Sequence, residues 1–198
     1  MPLHNERLVP ASAKLRRRCV GRRGAALVEA AIALPLLFLI LFGIIDFGSL
    51  FNDYLSVRQG TREAARQAAV ATNPTSPGGG AWNSTNCTVT GNITVGTDGY
   101  DLICYAKDRL GLNEANTRVS VEFTPQSSAP LYAAGQGVVV CTQYPATSLT
   151  GFLSSIMSGY ALTSKVEIRI EQSSTTFTSP VQETPLPGTS WPANCSTP

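Results

Sequence analysis

A long apolar run is the strongest pattern in the sequence. Between Arg23 and Asp46 lie 22 residues with one charged side chain, Glu29. An α-helix rises about 1.5 Å per residue, so this run measures about 33 Å, and a hydrocarbon core is about 30 Å thick. A core helix of a soluble protein normally carries a polar face, which this run lacks. The pattern predicts a transmembrane helix over residues 25–46, preceded by a leader over residues 1–24.

The helical pattern continues beyond the apolar run. Residues 46–71 contain no proline, and small or apolar side chains recur there at spacings of three and four. That face consists of Tyr54, Val57, Thr61, Ala64 or Ala65, and Ala68. A second stripe consists of Arg58, Arg62 and Arg66, with Glu63 beside Arg66. We expect one helix from residue 25 to about residue 71, with residues 47–72 as an outward extension. Its small face fits the chain's own domain and another subunit equally well.

An outer domain is predicted over residues 81–172, after a Pro/Gly-rich flexible linker at residues 73–80. A helix is expected from a cap at Asp98 to about Leu110, where Gly111 ends it. Three segments have the alternation or the β-branched content of strands: 119–123, 138–144 and 165–171. Shorter strands are expected around residues 88–90 and 93–95. An amphipathic turn before the last strand contains Leu149, Phe152, Leu153 and Ile156.

These elements predict an α+β fold. A long N-terminal transmembrane helix extends outward and packs on a small, mainly antiparallel sheet domain. The Ser/Thr/Pro-rich tail at residues 173–198 is expected to lie loosely on the surface.

The distribution of charge predicts the orientation in the membrane. Residues 1–24 carry seven Lys and Arg side chains against one Glu, directly before the apolar run. Because Lys and Arg are enriched on the cytoplasmic side, the N-terminus is expected inside and residues 46–198 outside. The remaining chain is net acidic, so the overall charge of +2 gives no support to nucleic-acid binding by the folded part.

Four of the five cysteines are expected in the oxidising compartment: Cys87, Cys104, Cys141 and Cys195. No pair among them has C-x-x-C spacing, and the one histidine, His4, lies in the leader, so neither a metal nor a cofactor is expected. Four cysteines allow three disulfide pairings. We favour Cys87–Cys104 and Cys141–Cys195, which close an irregular segment onto its helix and tie the tail to a strand.

Catalytic motifs are absent from the sequence, and no enzymatic activity is expected. There is no G-x-S-x-G, no H-E-x-x-H and no phosphate-binding G-x-x-x-x-G-K. Ser164 and Lys165 are adjacent in a predicted strand and point to opposite faces, so they do not form a Ser/Lys pair.

The N-terminal segment resembles a known class of processed membrane proteins. Arg22-Arg23-Gly24, followed by AALVE and the apolar run, is similar to the class III signal of type IV pilins and pseudopilins. A secretory signal fits poorly, since Ala69-Val70-Ala71 lies too far from the apolar run. The resemblance implies that a prepilin peptidase cuts after Gly24 on the cytoplasmic face. Ala25 then becomes the new N-terminus and Glu29 the fifth residue.

A longer resemblance narrows the family. RRGAALVE, ALPLL, FGIIDFG and TREAARQAAV, within residues 22–70, resemble the TadE-like family of minor pilins or pseudopilins of tight-adherence (Flp-type) pilus systems. GQGVVVCTQYP (135–145), LTGFLSSI (149–156) and LTSKVEIRIEQ (162–172) resemble its closing pattern. The resemblance implies a type IV pilin-like architecture and a role in pilus assembly at the bacterial inner membrane, with Glu29 as a helix-packing charge.

The partners implied are other pilin or pseudopilin subunits, the prepilin peptidase, the inner-membrane assembly machinery and membrane lipid. The alternative prediction is an uncleaved, signal-anchored envelope protein whose outer domain binds a ligand. A third is a eukaryotic type II membrane glycoprotein, since four N-x-S/T sequons occur.

Overall fold

The computed structural model describes residues 21–70, 82–124, 133–171, 180–192 and 195. Most of the leader, including Cys19, and the predicted linker at residues 73–80 lie outside these residues. The chain divides into two compact units, Met1–Leu41 and Phe42–Pro198. The described part of the first unit is the N-terminal portion of helix α1, and the second unit contains every other described element.

Helix α1 spans Gly21–Ala69 with Pro35 in its interior. It begins four residues before the predicted start and ends two residues before the predicted end. In the second unit its buried stripe contains most of the predicted small face, namely Val57, Thr61, Ala64, Ala65 and Ala68. Tyr54 does not belong to this stripe and is exposed. The half-buried residue on this turn is Asp53, which precedes Val57 by four positions on the same face.

The small face of α1 packs on the chain's own domain. Gly60 lies so close to the end of the helix Asp98–Leu110, named α2 below, that an added Cβ would meet the Cα and side chain of Leu110 at 2.7–2.9 Å. At the next residue, the hydroxyl oxygens of Thr61 and Thr142 are 2.6 Å apart in the core. The sequence left open whether this face of α1 packs on the chain's own domain or on another subunit. The structure shows it packed on the chain's own domain. The arginine stripe remains exposed, with Arg66 donating to Glu63 at 2.8 Å.

Helix α2 spans Asp98–Leu110, as predicted, but a different residue caps it. The Thr97 side chain accepts the backbone N–H of Tyr100, and Asp98 is the first helical residue. A threonine hydroxyl fits the N-cap position, and an acidic side chain in the first turn complements the helix dipole. Gly111 ends the helix with φ 63°, in the left-handed region that favours glycine.

A four-stranded sheet forms the rest of the domain. Its strands are β1 (Arg118–Thr124), β2 (Gly137–Pro145), β3 (Ala161–Arg169) and β4 (Val181–Gln182). Their order is β3-β2-β1-β4, and all neighbours are antiparallel. A 3₁₀ turn, Glu114–Asn116, precedes β1, and the short helix α3, Ser154–Met157, lies between β2 and β3. The predicted α+β architecture, a long apolar helix on a small antiparallel sheet, is confirmed.

The two faces of the sheet are covered by different parts of the chain. One face presents Val119, Val121, Phe123, Val138 and Val140 to α1 and α2 in the main core. On the other face, Val139 and Cys141 pack against Trp191 and Cys195 of the tail. Because both faces are covered, β1 and β2 are buried along nearly their whole length, which simple alternation did not predict.

Two sequence predictions outside the main sheet are wrong. Residues 88–90 and 93–95 form no strands. At Thr90 the backbone N–H donates to the Glu183 carboxylate at 2.8 Å, so a side chain takes the place of a neighbouring strand. The described part of the tail does not lie loosely on the surface, because it contributes β4 and buries Glu183, Leu186 and Trp191.

Candidate functional site

The three residues predicted to act in processing and assembly lie in the first unit. Gly24, Ala25 and Glu29 are all on α1 and all exposed. Nothing outside the helix backbone lies within 4 Å of a Cβ built on Gly24. The bond that follows Gly24 lies within helix α1. A peptidase that acts here would first have to unwind the N-terminal end of α1.

The apolar part of α1 is exposed throughout. Among the described residues, α1 is the one helix long and apolar enough to cross a membrane, and its apolar window is not buried by the rest of the chain. Large exposed side chains include Leu27, Ile32 and Ile44. A core helix would have these side chains covered by protein. The helix fits a single-pass membrane anchor.

A buried carboxylate lies at the point where the apolar run ends. Asp46 is fully buried in the second unit and accepts three hydrogen bonds from the segment after β2. The donors are Ser148 Oγ at 2.6 Å and the N–H and Oγ1 of Thr150, both at 2.8 Å. We call this arrangement the Asp46 clasp. The sequence analysis identified Asp46 only as a flanking charge, since nothing local connects it with residues so distant along the chain.

A second buried charge connects four parts of the outer domain. The Lys107 ammonium and the Glu183 carboxylate are 2.8 Å apart, and neither side chain is exposed. Glu183 also accepts the backbone N–H groups of Thr90 and Val119, each at 2.8 Å. Burial lowers the pKa of Lys107, and the Glu183 charge opposes that shift. The pair joins α2, the segment before it, β1 and the tail, which marks it as a structural site.

The structure joins the four described cysteines as Cys87–Cys104 and Cys141–Cys195. These are the pairings that the sequence analysis favoured. The first links the segment before α2 to the helix interior, and the second links β2 to the tail. Both disulfides lie in the second unit, where all four cysteines are buried.

The alternative function, ligand binding by the outer domain, requires a pocket. A cleft of about 270 Å³ lies between β2, β3 and the tail, and its described lining includes Thr142, Ser164, Lys165 and Trp191. Lys165 is the charged residue among that described lining. Among the described residues, no group of three His, Cys, Asp or Glu side chains is placed to hold a metal ion.

Comparison with known proteins finds a family match within α1. Residues 24–66 match the model of the family described as TadE-like protein. The family suggested by the sequence motifs is thereby confirmed for this segment. It is a Tad pilus-related family and generally non-enzymatic. No curated protein and no solved structure matches the chain.

Proposed function

We propose that this protein is a TadE-like minor pilin or pseudopilin that acts in the assembly of a tight-adherence (Flp-type) pilus. A prepilin peptidase cuts it after Gly24, and α1 remains on the product as its membrane anchor. The proposal rests chiefly on one observation. The segment that matches the family model, residues 24–66, begins at the proposed cleavage glycine and lies wholly within α1.

The surroundings of the proposed cleavage point support processing on the cytoplasmic side. Arg22 and Arg23 precede Gly24, and the basic excess of the leader lies on the same side of the apolar run. A positively charged segment is retained in the cytoplasm, so the peptidase would act there. Cleavage would remove that charge together with the first four residues of α1, and the rest of the helix would stay on the product as the anchor.

Glu29 is the proposed assembly residue. It is the charged side chain within the apolar run, and it is exposed on a helix whose neighbours are aliphatic. A carboxylate in such a position is costly in lipid unless it is paired. The new amine at Ala25 of an adjacent subunit would supply a partner of opposite charge. The proposed partners are therefore other pilus subunits, together with the prepilin peptidase and the inner-membrane assembly machinery.

Replacing Gly24 with leucine should abolish processing. The position has open space for a side chain, so the fold should tolerate the change, whereas a peptidase cleft selective for glycine would not. Mass spectrometry of the membrane-extracted chain should show the parent beginning at Ala25 and the variant retaining the leader. Gly48→Leu is the matched control, since Gly48 also lies on α1 with open space at its Cβ.

Two outcomes would count against the processing step. One is a parent chain that begins at Met1 in cells that make pili, which would favour the uncleaved, signal-anchored alternative. The other is normal cleavage of the Gly24→Leu chain.

Replacing Glu29 with glutamine should strongly reduce pilus assembly without affecting membrane insertion. Glutamine preserves the shape of the side chain but removes the charge that would pair with a neighbouring amine. Fractionation should find the variant in the membrane at parent levels, while sheared pilus preparations should contain little fibre. Glu29→Asp retains the charge and should retain part of the assembly. Parent levels of fibre in the Glu29→Gln strain would contradict the role proposed for this residue.

A further inference from the structure

The link between β2 and β3 is apolar and carries no charge. We call residues 146–160 the β2–β3 loop; it contains α3, and none of its 15 residues is Asp, Glu, Lys or Arg. Of its larger side chains, Met157 is buried and Leu153 is half-buried. These two side chains fix α3 against the domain. The sequence analysis grouped Leu149, Phe152, Leu153 and Ile156 in an amphipathic turn. The structure exposes Leu149, Phe152 and Ile156.

The exposure of these side chains is large. Leu149 is 74% exposed, Phe152 52%, Ile156 69% and Tyr160 70%. Single exposed apolar residues are common on protein surfaces, but several large ones on one short, uncharged loop are typical of an interaction surface.

The Asp46 clasp fixes the level of this loop along α1. Ser148 and Thr150, on either side of Leu149, donate to the Asp46 carboxylate. Asp46 directly follows Ile45, the last residue of the apolar run. The loop is therefore held at the level of the helix where the membrane-spanning sequence ends.

Helix α1 is itself apolar and exposed at this level of the second unit. Ile44, Ile45, Phe47 and Phe51 are all exposed on either side of Asp46. A helix that crosses the hydrocarbon core with residues 25–45 would carry the following turns through the headgroup region. Phe47 and Phe51 would then lie at the depth where interfacial segments bury apolar side chains such as Phe and Leu.

We propose that the β2–β3 loop rests on the lipid bilayer, with Leu149, Phe152, Ile156 and Tyr160 in the boundary between headgroups and acyl chains. The contact is to the face of the membrane on which the outer domain lies. It gives the domain a second attachment beside the helix and so restricts its tilt. The inference depends on α1 crossing a membrane, and it is independent of the processing and assembly proposed above.

Lipid suits this surface better than a protein partner does. The exposed apolar side chains recur every three or four residues along the loop, which is held beside the end of the membrane-spanning run. The loop contains no charge that would specify a protein partner or its register. Ser, Thr, Gly and Tyr alternate with the aliphatic residues, a mixture that suits the interface, where backbone polar groups still reach water. The uncharged loop predicts a contact that does not require anionic lipid.

Spin labelling of the full chain tests this contact. The chain with Cys19→Ser carries Ile156→Cys with a nitroxide and is reconstituted in phosphatidylcholine vesicles at a high lipid-to-protein ratio. Power-saturation spectroscopy then compares access of oxygen, which concentrates in lipid, with access of a water-soluble nickel chelate. The matched control is the label at Arg62→Cys. Arg62 is exposed and lies about 24 Å beyond Asp46 along α1.

The label at residue 156 should show a several-fold higher ratio of oxygen to nickel access than the label at residue 62. Asp46→Ala should lower that ratio, since the clasp no longer holds the loop at the membrane. Equal ratios at residues 156 and 62 would place the loop in water and overturn the proposal. Exclusion of both reagents from residue 156 would also overturn it, because the loop would then be covered by protein, such as a second copy of the chain.

Discussion

Replacing Lys107 with methionine should lower the free energy of unfolding of the outer domain by about 3–5 kcal/mol, because a buried carboxylate loses its counter-charge. Glu183 would keep its hydrogen bonds from Thr90 and Val119 but would stay buried without a counter-charge. The backbone oxygen of Thr88 would also lose the Lys107 ammonium as a donor. A typical domain is stable by about 5–15 kcal/mol, so this is a large part of the total.

Urea unfolding of the full chain in detergent measures this change. The two tryptophans, Trp82 and Trp191, are both buried in the outer domain, so their fluorescence reports on that domain and not on the membrane helix. Lys165→Met is the matched control, since Lys165 is exposed on β3 and its removal should change the free energy by no more than about 0.5 kcal/mol.

A double variant separates the pair from a general loss of packing. In Lys107→Met with Glu183→Gln, no unpaired charge is buried, and the amide oxygen can still accept backbone N–H groups. The losses of unfolding free energy in the single variants Lys107→Met and Glu183→Gln should therefore sum to more than the loss in the double variant. Strict additivity would show that the two side chains are not energetically coupled, in conflict with their 2.8 Å separation.

Removing the Cys141–Cys195 disulfide should cost about 2–4 kcal/mol, and more than removing Cys87–Cys104. The two bonds span sequence separations of 54 and 17 residues. In the chain-entropy model the longer loop restricts the unfolded chain more, by a difference of about 1 kcal/mol between the two bonds. The longer bond also holds the tail on β2, where Cys195 packs beside Trp191 and Val139.

The comparison uses Cys141→Ala with Cys195→Ala against Cys87→Ala with Cys104→Ala, under the same urea and fluorescence conditions. Each variant removes one buried disulfide, so the two are matched in the chemistry that is lost. We also expect the emission of Trp191 to shift toward the solvent-exposed value in the first variant before global unfolding. An equal or reversed order of stabilities would show that native packing, and not loop length, sets the contribution of each bond.

The sequence was most informative where the pattern is local. The apolar run, the absence of proline from residues 46–71 and the alternating valines of β1 each predict an element from neighbouring residues alone. Helix α2 was placed correctly for the same reason, although its cap was assigned to Asp98 and not to Thr97. Either side chain can cap a helix, and the choice depends on where the chain enters the helix.

The candidate site also has a part that local sequence predicts and a part that depends on contacts between distant residues. Gly24, Ala25 and Glu29 were found because their spacing, charge and apolar surroundings are all contained in one short segment. The Asp46 clasp was missed, since Asp46 and Ser148 are brought together only when the domain packs on the helix. No pattern around either residue differs from that of an ordinary surface residue.

From its sequence alone, the protein is determined to have a membrane-length apolar helix with a basic leader, a helical continuation and three principal strands, because helix and strand periodicity depend on residues close together in the chain. The tertiary structure alone decided that the tail adds β4 and buries Glu183, that residues 88–90 and 93–95 form no strands, and that Leu149, Phe152 and Ile156 face outward. Each of these depends on a partner distant in sequence. A Ser/Thr/Pro-rich composition describes the average residue of the tail, whereas its position depends on particular contacts, namely Glu183 with the buried Lys107 and Cys195 with Cys141.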